Sequence, residues 1–141
     1  MNHPGWQQAA NVLCVRLDSL GDVLMCTPAM RAIKQSCPGR TLSLLTSTGG
    51  AAAAPYIPEL DAVLRYPAPW IKSSAPHTPL VDAAMVQSLT ALQFDAAVIF
   101  TSYCQSALPW RCCAIWPKHS LAARALPRES RPAADGLGGR P

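Results

Sequence analysis

Arg16, Asp18, Ser19 and Asp22 crowd one short stretch of the chain, with Gly21 between the last two. Such a group can move a proton. An alcohol is a poor nucleophile until its proton is leaving, and a carboxylate is an ordinary base for that step. Asp22 stands next to Gly21 on a tight turn, exposed to whatever binds there. A second reading has Asp22 merely capping the helical turn that follows. Arg16, Asp18, Ser19, Gly21 and the more distant Lys34 make up the candidate substrate-binding set. Arg16 and Lys34 would pair with acidic groups of a substrate; simple surface charge serves equally for Lys34. Ser19 stands between turn chemistry and a site contact. The turn carries neither G-x-G-x-x-G nor G-x-x-x-x-G-K-[ST], so it is not a phosphate cradle of either common kind.

Positioning these groups takes a strand and a helix. Residues 12–17 are an apolar run broken late by Arg16, the pattern of a buried strand. Residues 18–22 are a polar turn. Thr27-Pro28 reads as an N-cap followed by proline at the first helical position, and the helix runs to about Ser36 before Cys37-Pro38-Gly39 stops it. Met30 and Ile33 should face inward, Arg31 and Lys34 outward. Residues 41–46 form a second strand, 47–55 a loop of small residues with room for one helical turn, and 61–66 a weaker third strand. Residues 67–79 hold four prolines and read as an irregular loop, with Trp70, Lys72 and His77 able to face a substrate. Thr78-Pro79 opens a second helix, with Asp82 in its first turn and Val81, Met85, Leu89 and Leu92 on one face. Residues 95–101 are a fourth strand, apolar enough for the middle of a parallel sheet. Strands alternating with helices predict β-α-β units in a doubly wound α/β sheet, whose ligands sit at strand C-terminal ends.

The 141 residues suit one domain, with residues 1–10 as a flexible lead-in and no regular pattern after about residue 108. Half of the residues are apolar and fourteen are proline, giving a real core and many loops. The net charge of +4 is uneven. Six basic residues balance six acidic ones up to Pro109; beyond it six basic residues meet only Glu129 and Asp135. That basic stretch has arginines but little aromatic interleaving and no amphipathic period, which argues against nucleic-acid binding. No run reaches the roughly 18 apolar residues of a membrane span, and no leader pattern opens the chain. The six cysteines form no C-x-x-C pair and lie at no zinc spacing, so they are expected to be reduced, partly buried thiols with no metal.

Residues 15–34, Val-Arg-Leu-Asp-Ser-Leu-Gly-Asp-Val-Leu-Met-Cys-Thr-Pro-Ala-Met-Arg-Ala-Ile-Lys, closely resemble the opening motif of the family 9 glycosyltransferases, the bacterial lipopolysaccharide heptosyltransferases. The likeness continues through Cys37-Pro38-Gly39, Leu-Ser-Leu-Leu-Thr, Pro58-Glu59-Leu60-Asp61 and the strand from Phe94 to Phe100, and covers residues 11 to about 108. The resemblance implies an incomplete Rossmann-like parallel sheet, the N-terminal lobe of a GT-B fold. It implies a lipopolysaccharide core acceptor on this lobe, a nucleotide-sugar donor on the other, no cofactor, and inverting transfer with Asp22 as base. It also implies a cytoplasmic location with peripheral contact at the inner membrane. A small nucleotide-binding module without catalysis is the alternative, and a basic-tail binder of nucleic acid or membrane a third.

The resemblance, the periodicity and the charge balance all change near residue 109. Residues 109–141 read as a disordered tail of Arg, Ala, Pro and Gly. Such a junction is expected of a changed reading frame that removes the donor lobe, leaving a fragment with an exposed sheet edge prone to aggregate. The downstream DNA should then encode a heptosyltransferase continuation in another frame. Sequencing through that region decides the matter, and finding no such continuation defeats it.

Overall fold

The computed structural model describes residues 4–68, 78–100 and 122–124, the last three by backbone alone. A short helix α1 (Pro4–Gln8) leads into strand β1 (Asn11–Arg16). Helices α2 (Leu20–Met25) and α3 (Thr27–Gln35) follow, then strand β2 (Thr41–Thr46) and a 3-10 helix over Gly50–Tyr56. Strand β3 (Ala62–Arg65), helix α4 (Pro79–Ala91) and strands β4 (Ala96–Ile99) and β5 (Ala122–Arg124) complete the described chain. The expected loop residues Trp70, Lys72 and His77 lie outside the described residues, as does the tail apart from β5.

All strands are parallel, in the order β3-β2-β1-β4-β5. The predicted α/β architecture is therefore present, with the opening strand in the middle. β1 pairs on one side with β2, Val12 opposite Leu42, and on the other with β4, Val12 opposite Ala96. Side chains alternate across the sheet and split the core into two layers. Val12 and Cys14 pack with Val23, Met30 and Ile57 beneath α2, α3 and the 3-10 helix. Leu13 and Val15 pack with Leu89 and Phe94 beneath α4. Because helices cover both faces, β1 has no polar alternation to show and reads as one apolar run.

Both edges of the sheet need their backbone groups satisfied. At the N-terminal edge carboxylates do this. Asp95 Oδ2 accepts from the backbone N–H of Ala10 (2.9 Å) and of Asn11 (2.8 Å), and Asp61 Oδ2 accepts from that of Leu42 (2.6 Å). Gly39, at φ +80°, turns the chain from α3 into β2 through a conformation that side chains rarely adopt.

Several boundaries differ from expectation. The lead-in is not loose: Pro4–Gln8 is helical, because Arg40 anchors it. The Arg40 guanidinium is buried at 1 % exposure and donates to the Trp6 carbonyl (2.7 Å), the Ala9 carbonyl (2.8 Å), the Ile33 carbonyl (3.1 Å) and Ser36 Oγ (2.6 Å). It also stacks on the Trp6 ring, 4.5 Å from its centroid. A helix, α2, stands where a turn was expected, so Cys26 rather than Thr27 precedes α3. Thr78 precedes α4 in extended conformation but makes no side-chain capping bond. Leu92 ends up 45 % exposed because α4 has already terminated at Ala91. Ala122–Arg124, inside the expected irregular tail, pairs with β4.

Replacing Arg40 with Ala would leave the Trp6, Ala9 and Ile33 carbonyls without their donor. The expected cost is about 2–4 kcal/mol, read as a lower urea midpoint, with amide exchange rising first in α1. Unchanged α1 protection would contradict this anchoring.

Candidate functional site

Parallel α/β sheets bind ligands outside the strand C-termini, where successive connections leave a strand in opposite directions. Here that point lies between β1 and β4. The chain goes from β1 to β2 on one side and returns as β4 on the other. The residues that close β1 and open α2 therefore stand at the mouth of the crevice.

Arg16 is the last residue of β1, and its guanidinium reaches across the crevice. Its Nη1 donates to the Phe100 carbonyl just beyond β4 (2.8 Å), and its Nη2 donates to Asp22 Oδ1 (3.1 Å). Its Nε lies 3.0 Å from Asp18 Oδ2, an ion pair outside hydrogen-bonding geometry: both atoms are buried and make no hydrogen bond. Asp22 Oδ2 accepts from the Ser19 backbone N–H (3.2 Å) and the Ser19 hydroxyl (2.6 Å). Ser19 and Asp22 thus form a capping box at the start of α2. The Asp22 side chain stays 44 % exposed, while those of Arg16 and Asp18 are 18 % and 27 % exposed.

The Ser19 hydroxyl above all, then the Ser19 amide and Arg16, outweigh partial burial and hold the Asp22 carboxyl below the usual aspartate range. Asp22 is therefore ionised at neutral pH and free of the need to lose a proton before accepting one. The capping expectation matches the geometry: Asp22 accepts from the Ser19 amide at the start of α2, and its side chain stays partly exposed.

The second crossover props this turn from below. The Ser47 hydroxyl donates to the Asp18 carbonyl (2.6 Å) and accepts from the Gly50 N–H (2.9 Å). A Cβ on Gly50 would meet Thr46 Oγ1 at 2.2 Å and the Asp18 carbonyl at 2.9 Å, so only glycine lets the 3-10 helix approach this closely. Ser47, Gly50 and the Phe100 carbonyl were not in the expected site. The Ser-Thr-Gly-Gly run after β2 is the one sequence trace of the first two; Phe100 contributes only backbone and left none.

Arg16, Asp18, Ser19, Gly21 and Asp22 come together as expected. Lys34 does not. It sits in the last turn of α3 and pairs with Asp61 (2.5 Å), which also accepts from the Leu42 amide near the start of β2. That is the N-terminal edge of the sheet, opposite the crevice. The physical reason is helix direction: α3 runs from the C-terminal edge back to the start of β2, so its end must lie below. Arg31, one turn earlier, pairs with Glu59 (2.5 Å), so both cations fasten α3 to the approach to β3.

Cys14 is buried and its thiol is pushed up to about 12 by burial and then by neighbouring Cys26. Burial also raises Cys26. Neither is a thiolate nucleophile at neutral pH. Among the described residues no three metal-ligating side chains cluster, and no helix is long and apolar enough to cross a membrane. What the site can do is hold a hydroxyl-bearing molecule against an ionised carboxylate.

Because the folded state lowers the Asp22 pKa, the ionised carboxylate stabilises the fold above the ordinary aspartate value of 3.8, and this contribution fades as pH falls through the lower folded value. The melting temperature of Asp22→Asn should lie below that of the wild type at neutral pH, with the gap closing as pH falls below the ordinary aspartate range. Thermal scans against pH read this; a gap that widens in acid would contradict the bonding described.

No family model, curated protein or solved structure matches the chain.

Proposed function

We propose that this chain is the acceptor-binding lobe of an inverting glycosyltransferase of the heptosyltransferase type. The acceptor is a lipopolysaccharide core sugar, the donor a nucleotide-activated heptose, and the place of work the cytoplasmic side of the inner membrane. The observation that carries the reading is the Asp22 carboxylate, ionised and exposed at the open end of the central strand. In the reaction the acceptor O–H bond breaks and its proton passes to Asp22. The oxygen bonds to the anomeric carbon, and the bond from that carbon to the nucleoside diphosphate breaks, its electron pair leaving on the phosphate. Electrostatic stabilisation of that departing diphosphate belongs to a donor lobe. The chain alone is therefore expected to show negligible transfer.

One further feature favours this reading. Asp18 and Asp22 together outweigh the single charge of Arg16, so the crevice mouth carries excess negative charge. That disfavours a phosphate at this spot and with it the alternative of a small nucleotide-binding module.

Titration with a heptose-containing core oligosaccharide, followed by amide NMR, tests the proposal. The Ser19 and Asp22 resonances should shift saturably. Asp22→Asn should weaken binding by about tenfold, the loss of one charge-assisted hydrogen bond. No shift with the oligosaccharide, together with saturable shifts from a nucleotide, would overturn it in favour of the nucleotide module.

A further inference from the structure

The two oxygens of Asp22 are held in different ways. Oδ1 is bonded to Arg16, a half-buried side chain that is itself tied to the Phe100 carbonyl across the crevice. Oδ2 is bonded to Ser19, whose amide and side-chain oxygen both belong to the capping box but whose exposed hydroxyl can turn its hydrogen about one torsion. Arg16 is held at the ends of both central strands, by its own place in β1 and by its bond to the Phe100 carbonyl beyond β4, so its grip on Oδ1 is fixed from two sides. The Ser19 hydroxyl can be exchanged for another hydroxyl at little cost, since a sugar O–H offers the same donor.

We propose that Arg16 is a positioning residue that fixes Oδ1, and that the Ser19 hydroxyl is a removable placeholder on Oδ2, displaced by the incoming acceptor hydroxyl. This rests on the acceptor-lobe reading above, and it says which oxygen takes the proton and what must move first. The Ser19 hydroxyl is also the largest influence lowering the Asp22 pKa, and the substrate hydroxyl that replaces it gives the ionised carboxylate the same kind of bond, along the path its proton then takes to Oδ2. The other charged or titratable groups around Asp22 among the described residues are Arg16, Asp18 and the Cys26 thiol, whose Sγ bonds the Asp22 carbonyl at 3.3 Å. None of them needs to move.

A placeholder competes with its substrate, so removing it should tighten binding. The full chain is titrated with a methyl heptopyranoside as wild type, Ser19→Ala and Ser19→Gly. Glycine is tolerated at a helix N-cap and guards against loss of the helix. Both variants should bind with a Kd lower by about two- to tenfold, the range expected for losing one competing hydrogen bond. The Asp22 carboxyl carbon should titrate at higher pH than in the wild type. In the wild type, the guanidinium nitrogen resonances of Arg16 should follow the Asp22 titration with the same midpoint. If the wild type binds the sugar and the Ser19 variants bind it equally or more weakly, the placeholder role is overturned and the acceptor reading stands. If the Arg16 resonances ignore the Asp22 titration, its positioning role is overturned. If neither wild type nor variant binds the sugar, the acceptor reading fails and takes this proposal with it.

Discussion

A single guanidinium holds the business end of this molecule together. β1 and β4 are neighbours in space but far apart in sequence, and their backbone ladder ends at Val15 opposite Ile99. Just beyond it the Phe100 N–H still donates to the Val15 carbonyl (3.1 Å), and the Phe100 carbonyl is left for a side chain. Arg16 is that side chain, with Nη1 on the Phe100 carbonyl, Nη2 on Asp22 and Nε beside Asp18. Lysine offers a compact point charge and no planar fork, so it could not serve three directions at once. The site's geometry follows: two carboxylates converge on one cation, and one of them keeps an oxygen turned to an exposed hydroxyl.

The two edges of the sheet solve the same problem with opposite charges. At the N-terminal edge the strands start with free N–H donors, and the acceptors Asp61 and Asp95 meet them. At the C-terminal edge a carbonyl is free, and the donor Arg16 meets it. Arg40 plays a related part where α1 and α3 end, giving their carbonyls donors and stacking on Trp6. Its donors go to carbonyls and the Ser36 hydroxyl, so carbonyl dipoles and the α3 C-terminus balance its charge. Polar side chains thus meet strand ends at both edges of the described sheet and stay partly exposed there, Asp61 at 43 % and Asp22 at 44 %; at Asp22 the exposed carboxylate is held mainly by a hydroxyl.

That exposure is what gives the site chemistry. Asp95 and Asp61 spend their carboxylates on strand amides, while Asp22 spends its own on a cap whose strongest donor is a rotatable hydroxyl. The same bond that holds the helix start keeps the carboxylate ionised, so the structural role of Asp22 and the role proposed for it rest on one interaction. The heptosyltransferase reading adds a sugar alcohol to that bond and a diphosphate leaving group beyond it.

Much of this was already legible in the residues. The apolar run before Arg16, the Thr41–Thr46 strand, the proline-started helices and the apolar 96–99 segment are local patterns set by burial on both sheet faces, and β2 matches its expected bounds. The Arg16–Asp22 cluster was legible because it is contiguous. Ser19-x-x-Asp22 is a capping-box spacing, the signal for α2 that a turn reading passes over. Three things only the tertiary structure decided. Lys34 was assigned to the site although helix direction carries it to the opposite edge, where Asp61 awaits it. The lead-in became a helix because Arg40, over thirty residues away in sequence, supplies its carbonyls with donors. Phe100 joined the site through its carbonyl, which no side-chain pattern can announce. Local sequence determines which segments hide from water; which of their ends meet depends on strand order, and strand order is written in contacts between residues far apart in the chain.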